Sequence, residues 1–108
     1  MVSVTDHGCR RIRSRCGLSK KSAARMAEDA FENGITHANT TGSLNRYITA
    51  LYFHNMSANN IRILNDKVFV FAGRTLITVL NLPPHYRKIV NKLAKKLMIQ
   101  KGDVSESI

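Results

Sequence analysis

The sequence predicts an α+β domain with three N-terminal helices, an antiparallel β-meander of three or four strands, and a C-terminal basic helix. Apolar residues recur at spacings of three and four in the first half of the chain, which favours amphipathic helices. From Asn60 onward the period changes to two, the period of strands, and helical spacing returns after Pro84. Because 108 residues suit one hydrophobic core, we expect a single compact domain over residues 1–101 and a frayed tail over 102–108.

The first helix is predicted to begin near Thr5 or Asp6, since either side chain can cap it. It should end at about Cys16, because Gly17 offers the left-handed backbone conformation that stops a helix. Cys9 and Cys16 would then lie about two turns apart, farther than a disulfide tolerates. We therefore expect two reduced, half-buried thiols.

A polar loop separates the second and third helices. Ser19 is the predicted cap of the second helix, which should run for about fifteen residues and end before Gly34. Its apolar side consists of Met26, Ala27, Ala30 and Phe31. The segment 36–42 is rich in Thr and Asn, which predicts a loop, and Ser43 can then cap the third helix. The apolar face of this third helix carries Leu44, Tyr47, Ile48, Leu51 and Tyr52.

Three strands are predicted at Ile61–Leu64, Lys67–Phe71 and Thr75–Leu82, because turn residues separate three runs of β-branched and aromatic side chains. Alternation leaves both faces of the two later strands apolar. The opposed sets are Val68 and Val70 against Phe69 and Phe71, and Leu76 and Leu80 against Ile77 and Val79. Each face therefore needs a cover, and we expect the first three helices on one side and the final helix on part of the other.

The final helix is predicted to start around Pro84, since proline is favoured in the first turn of a helix. Its apolar stripe consists of Tyr86, Ile89, Val90, Leu93 and Leu97. Basic residues flank this stripe, so the helix can pack on the sheet and keep its lysines in solvent. An amphipathic helix lying on an acidic membrane is the alternative interpretation. We favour packing on the sheet and expect no membrane partner.

The net charge indicates the class of partner. The formal charge is +10 and the isoelectric point is near 10.2, which favours a polyanion, and nucleic acid is the first candidate. The residues predicted to contact it are Arg10, Arg13, Lys20, Lys21, Arg87, Lys88, Lys92, Lys95 and Lys96. With neither a membrane span nor a secretory leader visible, we expect a cytoplasmic protein. Neither CxxC nor HxxxH spacing nor a carboxylate cluster occurs, so no metal site and no cofactor is expected.

RNA is favoured over DNA. The first two helices and the short turn between them are similar to a helix-turn-helix, in which the second helix would enter a DNA groove. However, Glu28, Asp29 and Glu32 would then confront phosphates. A DNA-binding regulator is therefore the third hypothesis, after the two developed below.

The first helix carries one imidazole and two guanidinium groups at intervals of four residues: His7, Arg11 and Arg15. Side chains at this spacing stack along one helix face, where like charges repel. Only seven acidic residues exist in the chain to neutralise them, so an external phosphate is the simpler explanation. Guanidinium groups bind phosphoryl oxygens in a bidentate manner, and an imidazole can move a proton near neutral pH. Plain binding or solvated surface charge is the alternative to catalysis.

The segment Thr5–Ser19 reads TDHGCRRIRSRCGLS, which contains His-x3-Arg-x3-Arg followed by Gly and a small cap. Several helices and a meander follow it, and the late strand reads TLITV. This order resembles the small bacterial toxin ribonucleases of the barnase, EndoU, colicin and RelE type of fold. Thr78 matches the position where such proteins often place a hydroxyl. The chain departs from their pattern at Cys16, which lengthens the end of the first helix by one residue.

The resemblance implies metal-free RNA cleavage, in which the ribose 2′-hydroxyl attacks the adjacent phosphorus and leaves a cyclic phosphate. His7 would transfer a proton, and Arg11 and Arg15 would hold the charge that builds on the phosphorane. Thr78 would orient a phosphate oxygen. Simple packing is the alternative role for this threonine, because alternation predicts that it shares a face with the leucines at positions 76 and 80.

A second proton-transfer group is missing from the motif. We predict His85 for this role, because it directly follows two prolines at the end of the meander. His37 and His54 are the other candidates. For all three, an ordinary surface or capping role is the alternative.

Two functions from different classes follow. The first is an RNA-binding protein of bacterial or phage type that can act as a metal-independent endoribonuclease. The second is a non-catalytic inhibitor or accessory protein of a bacterial mobile element, which would bind a nucleic-acid-handling enzyme or its RNA. A protein partner is therefore also expected, either an antitoxin or such an enzyme.

Overall fold

A four-stranded mixed sheet lies between two helical layers in the computed structural model, which describes residues 2–17, 20–54 and 57–100. The predicted α+β class is confirmed. In chain order the elements are β1 (Ser3–Val4), α1 (Asp6–Cys16), α2 (Lys20–Asn33), a 3-10 turn (His37–Asn39), α3 (Gly42–His54), β2 (Asn60–Leu64), β3 (Lys67–Ala72), β4 (Thr75–Asn81), a second 3-10 turn (Pro84–Tyr86) and α4 (Arg87–Gln100). The predicted tail and the predicted Ser19 cap lie outside the described residues. In the described part of the chain, no helix has both the length and the apolar character to cross a membrane.

The sheet has the strand order β1-β4-β3-β2. The pairs β2–β3 and β3–β4 are antiparallel and form the predicted meander, but β1 pairs with β4 in parallel. A purely antiparallel sheet was therefore the wrong expectation. Since β1 is only two residues long, it shows no alternation that a sequence pattern could reveal.

The first helical layer consists of α1 and α2. Their apolar side chains pack with Phe69 and Phe71 on one face of the sheet. The buried members of this cluster are Ile12, Ala23, Ala27, Ala30, Phe69, Phe71, Leu76 and Val79. The buried residues of α2 are alanines, whose small side chains leave room for the phenylalanine rings of the sheet.

The second layer consists of α3 and α4, and here the predicted arrangement is wrong, because α3 does not join α1 and α2. Its buried residues Leu44 and Ile48 pack with Val68 and Val70 on the opposite face. The chain reaches that face around the outer edge of β2, where Ile35 and Ile63 exchange both backbone hydrogen bonds. The remaining buried members of the cluster are Ile35, Ala58, Ile61, Ile63, Leu82 and Val90.

The strand β4 contains one residue more than its partner β3 across the middle of the pair. Phe71 pairs with Leu76, and Val70 pairs with Thr78, so Ile77 has no partner. An extra residue of this kind is a β-bulge, which bends a strand and changes the direction of its side chains.

Because of the bulge, the predicted faces of β4 are wrong. Leu76 and Val79 belong to the cluster beneath α1 and α2, whereas Leu80 packs against the cluster beneath α3 and α4. Leu76 and Leu80 therefore lie on opposite faces, and the expectation that Thr78 shares one face with both is wrong. Simple alternation fails because it takes no account of the inserted Ile77.

The predicted boundaries of α1 are confirmed. Thr5 is the N-cap, and Gly17 ends the helix with a φ of 66°. In contrast, α3 does not begin with a Ser43 cap: the backbone N–H of Asn45 already donates to the carbonyl of Thr41, so Ser43 lies inside the first turn.

The final helix also differs from its prediction. The 3-10 turn at Pro84–Tyr86 precedes it, and α4 itself begins at Arg87. Val90 is buried, and Leu93 and Leu97 pack against the same core. Ile89, which was expected in the packed stripe, is exposed at its margin.

Candidate functional site

The first turn of α1 is fixed against β4 at the bulge. The hydroxyl of Thr5 accepts the N–H of Gly8 at 2.9 Å and donates towards the carbonyls of Leu76 and Ile77 at 3.1 and 3.3 Å. Gly8 is buried there, and a Cβ at this position would lie 2.8 Å from the Leu76 carbonyl oxygen. Only a glycine allows this close approach between the helix and the strand.

The close approach of α1 to β4 places the side chain of His7 in contact with that of Thr78. His7 Nε2 lies 3.3 Å from Thr78 Oγ1, and Arg11 Nε donates to the same ring nitrogen at 3.4 Å. His7 and Arg11 are exposed, while Thr78 is 9% exposed. We call His7, Arg11 and Thr78 the His7 cluster. Three of the predicted site residues therefore meet at one atom.

The hydrogen bonds in the His7 cluster restrict the form of the imidazole. Arg11 Nε always carries a hydrogen, so its contact requires a lone pair on Nε2 and places the ring proton on Nδ1. Within the described ranges, neither His7 nor Arg11 forms an ion pair with a carboxylate. The cluster therefore combines an unprotonated imidazole nitrogen, an unneutralised guanidinium and a nearly buried hydroxyl.

Arg15 follows the same face of α1 but lies at a different place. Eight residues separate it from His7, a rise of about 12 Å along a helix. There it lines a cleft of about 230 Å³ that we call the Asp66 cleft. The other residues lining this cleft are Cys16, Met26, Leu64, Asn65, Asp66 and Lys67. Arg15 is thus outside hydrogen-bonding range of the His7 cluster.

The structure does not bring His85 to His7. The exposed His85 ring lies in the 3-10 turn before α4, with its centroid 4.1 Å from that of Tyr86. No hydrogen bond joins it to the His7 cluster in the described part of the chain.

The other two candidate histidines are elsewhere. His37 Nε2 lies 2.9 Å from the hydroxyl of Thr49, which itself donates to the Asn45 carbonyl. His37 must therefore donate, and it serves to fix the loop before α3. His54 is exposed at the end of α3.

The remaining basic residues of α1 occupy a second face. Arg10 and Arg13 are exposed and line a shallow cleft of about 360 Å³ together with Asp6 and Cys9. Lys21 is exposed on α2, and the side chain of Lys20 lies outside what is described. The cations of α1 are thus divided between two sides of the helix.

The predicted cations of α4 are exposed, and one of them contacts Asp66. Arg87 Nη2 lies 3.8 Å from Asp66 Oδ2. Lys92 and Lys96 line a separate cleft of about 230 Å³ with Ile89. The exposed lysines of this helix are Lys88, Lys92, Lys95 and Lys96.

Two residues near the site were missed by sequence reasoning. Lys67 opens β3 and Asp66 lies in the preceding turn, with Lys67 Nζ 3.5 Å from Asp66 Oδ2. The two-residue turn is visible in the sequence, but nothing local indicates that it lies beside Arg15, which is an effect of tertiary packing.

Cys16 is partly removed from water in the Asp66 cleft. Burial raises the pKa of its thiol above the ordinary value of 9.0. The positive charge of Lys67 acts in the opposite direction, and the negative charge of Asp66 adds to the increase in this pKa. Both cysteines are free thiols, as expected.

The described residues include no group of three or more His, Cys, Asp or Glu side chains that could hold a metal ion. What the His7 cluster can do is remove a proton and bind a phosphoryl oxygen. Comparisons of the chain with protein-family models, with curated proteins and with solved structures find no match in any of the three.

Proposed function

We propose that this protein binds RNA along α1 and cleaves it without a metal ion. The observation that carries the proposal is the convergence of Arg11 Nε and Thr78 Oγ1 on the Nε2 atom of His7. A proton acceptor, a cation and a hydroxyl at one solvent-accessible point are the groups that phosphoryl transfer from a ribose requires.

His7 is the general base in this mechanism. When the substrate displaces the Arg11 Nε hydrogen from Nε2, the lone pair takes the proton of a ribose 2′-hydroxyl, and the resulting oxyanion attacks the adjacent phosphorus. The new bond closes a 2′,3′-cyclic phosphate, and the bond from phosphorus to the 5′-oxygen breaks. A water molecule protonates the leaving 5′-oxygen, and the hydroxide that remains takes the proton back from His7, which is open to solvent.

Arg11 and Thr78 stabilise the phosphorane. A guanidinium has five N–H donors, and Arg11 uses only its Nε on His7, so its two Nη groups remain for a phosphoryl fork. The Thr78 hydroxyl is almost buried and is held on a strand, which fixes its direction at little entropic cost.

The net charge of +10 supports the choice of a polyanionic substrate. RNA is favoured over DNA because the mechanism needs a 2′-hydroxyl. The exposed cations Arg10, Arg13, Lys88 and Lys92 would add contacts to the backbone outside the cleavage point.

The test uses purified protein and total RNA in the presence of EDTA. We expect fragments with cyclic-phosphate ends, and His7→Ala should abolish them. His54→Ala replaces another exposed histidine, at the end of α3, and is the matched control. RNA that is bound but stays intact with wild-type protein would remove the nuclease and leave the binding function.

A further inference from the structure

The turn between β2 and β3 gathers more positive charge than its single carboxylate can balance. Lys67 Nζ lies 3.5 Å and Arg87 Nη2 lies 3.8 Å from the same oxygen, Asp66 Oδ2. Arg15 lines the cleft in which Asp66 and Lys67 lie. With one negative and three positive side chains, two formal positive charges remain unbalanced.

The contacts to Asp66 are loose. A charged N–H and a carboxylate usually approach to about 2.7–2.9 Å, and both distances here are well above that range. The side chain of Lys67 is only 17% exposed, so it has lost most of its water without gaining a close partner. This lysine therefore has unused capacity to donate hydrogen bonds.

Arg15 also lacks a hydrogen-bond acceptor: its Nε is buried and has no hydrogen-bond partner in the described part of the chain. A buried donor without an acceptor is costly, so native proteins rarely leave one. The electrostatic preference of a helix C-terminus for cations explains the presence of an arginine in the last turn of α1. It does not explain why the Nε of Arg15 lacks an acceptor.

We infer that Arg15, Lys67 and Arg87 form a phosphate subsite that holds a backbone phosphate of the RNA away from the cleavage point. This inference rests on the proposed function. The Asp66 cleft measures about 230 Å³, several times the ~30 Å³ that one water molecule occupies. A phosphate oxygen would accept the Arg15 Nε hydrogen, and Lys67 and Arg87 would supply the remaining charge.

The position of the cleft gives the spacing along the substrate. Arg15 lies about 12 Å from His7 along α1, and stacked nucleotides advance by about 3.4 Å per step. The phosphate in the Asp66 cleft is therefore several nucleotides from the one at His7. Short dinucleotide substrates would miss it, and longer RNA would reach both.

The test follows the Arg15 Nε–H resonance by NMR while the intact protein is titrated with a decauridylate that carries 2′-O-methyl groups. This probe cannot be cleaved, because the attacking hydroxyl is blocked. We expect a saturable shift of the Arg15 signal, identified by its absence in Arg15→Lys. Inorganic phosphate should move the same signal, whereas chloride at equal ionic strength should not.

Affinity measurements supply the second readout. Lys67→Gln should weaken decauridylate binding about tenfold and lower the slope of log affinity against log salt by about 0.7. Arg87→Gln, at a side chain that is 56% exposed, is the second variant and should weaken decauridylate binding in the same direction. Arg46→Gln, at an exposed position of α3 that is not among the predicted contacts, is the charge-matched control and should bind within about twofold of wild type.

Two results would overturn the inference: an Arg15 signal that does not shift when decauridylate binds, or Lys67→Gln and Arg87→Gln variants that bind like Arg46→Gln. The proposed function would survive either result if long RNA is still cleaved. Conversely, an Arg15 shift without any cleavage of RNA would remove the nuclease and support the subsite.

Discussion

His7 and Thr78 are 71 positions apart in the sequence, and His7 Nε2 lies 3.3 Å from Thr78 Oγ1. The contact joins the first turn of α1 to the strand β4 immediately after its bulge. It depends on the Thr5 hydroxyl, which holds the helix to the carbonyls of Leu76 and Ile77. The site is therefore built where a helix start and an irregular strand meet.

Replacing Thr78 by Val tests the role of its hydroxyl. Valine keeps the β-branched shape, so the strand pairing with Val70 should persist. We expect RNA cleavage at saturation to fall by about tenfold to a hundredfold, because one donor to the phosphorane is lost. Single-turnover kinetics measures the effect, and a thermal melt confirms that the fold is intact. Unchanged cleavage would assign the hydroxyl a packing role only.

Gly8→Ala tests how closely α1 must approach β4. The new Cβ would lie 2.8 Å from the Leu76 carbonyl oxygen, so the helix start must move. We expect the free energy of unfolding to fall by about 1–3 kcal/mol, together with a loss of cleavage. Ser14→Ala at an exposed position of the same helix is the control, with an expected change within about 0.5 kcal/mol. Urea denaturation measures both variants.

Cys16 and Tyr47 predict how stability depends on pH. Burial raises the pKa of Cys16 above its ordinary value of 9.0. It also raises the pKa of Tyr47 above 10.0, and Tyr86 adds to this second increase. The folded protein therefore keeps protons that the unfolded chain has already released. Linkage makes stability fall as the pH rises above about 9, and the contribution of both groups is complete below that value.

Denaturation at a series of pH values between 8 and 11 checks this expectation. Between the two ends of this range, the free energy of unfolding should fall less in Cys16→Ala than in wild type. Lys67→Gln removes the charge that lowers the Cys16 pKa, so alkylation of this thiol should require a still higher pH. Alkylation that becomes easier in Lys67→Gln would contradict the arrangement of the Asp66 cleft.

RNA affinity should decrease steeply with salt. Each phosphate neutralised by Lys or Arg contributes about 0.7 to the slope of log affinity against log salt for single strands. We expect a slope of several units, since cations of α1 and α4 both take part. Filter binding between about 50 and 200 mM salt measures it. A flat response would instead favour a protein as the main partner.

Local signals explain what could be predicted. The cap at Thr5 and the stop at Gly17 are set by the residues themselves, and the interval between His7 and Arg11 follows from helix geometry. For the same reason, the faces of β3 were predicted correctly: Val68 and Phe69 are in regular, unbulged strand.

Tertiary packing explains the remainder. A two-residue strand such as Ser3–Val4 exists only because β4 is there to pair with it. The position of α3 is decided by the crossing at Ile35, which is a single bridge. The nearness of Arg15 to Lys67 joins elements far apart in the chain, so no local pattern contains it.

The inserted Ile77 makes chain length in β4 part of the chemistry. If it were deleted, the strand would regain a regular pleat, and every hydrophobic side chain could still find a core. Thr78 would still pair with Val70, but the strand would lose its bend and the Ile77 carbonyl that accepts from the Thr5 hydroxyl. The start of α1 and the direction of the Thr78 side chain would then both change. A shortened homologue could thus keep the same architecture and the same histidine while losing the partner oxygen of His7.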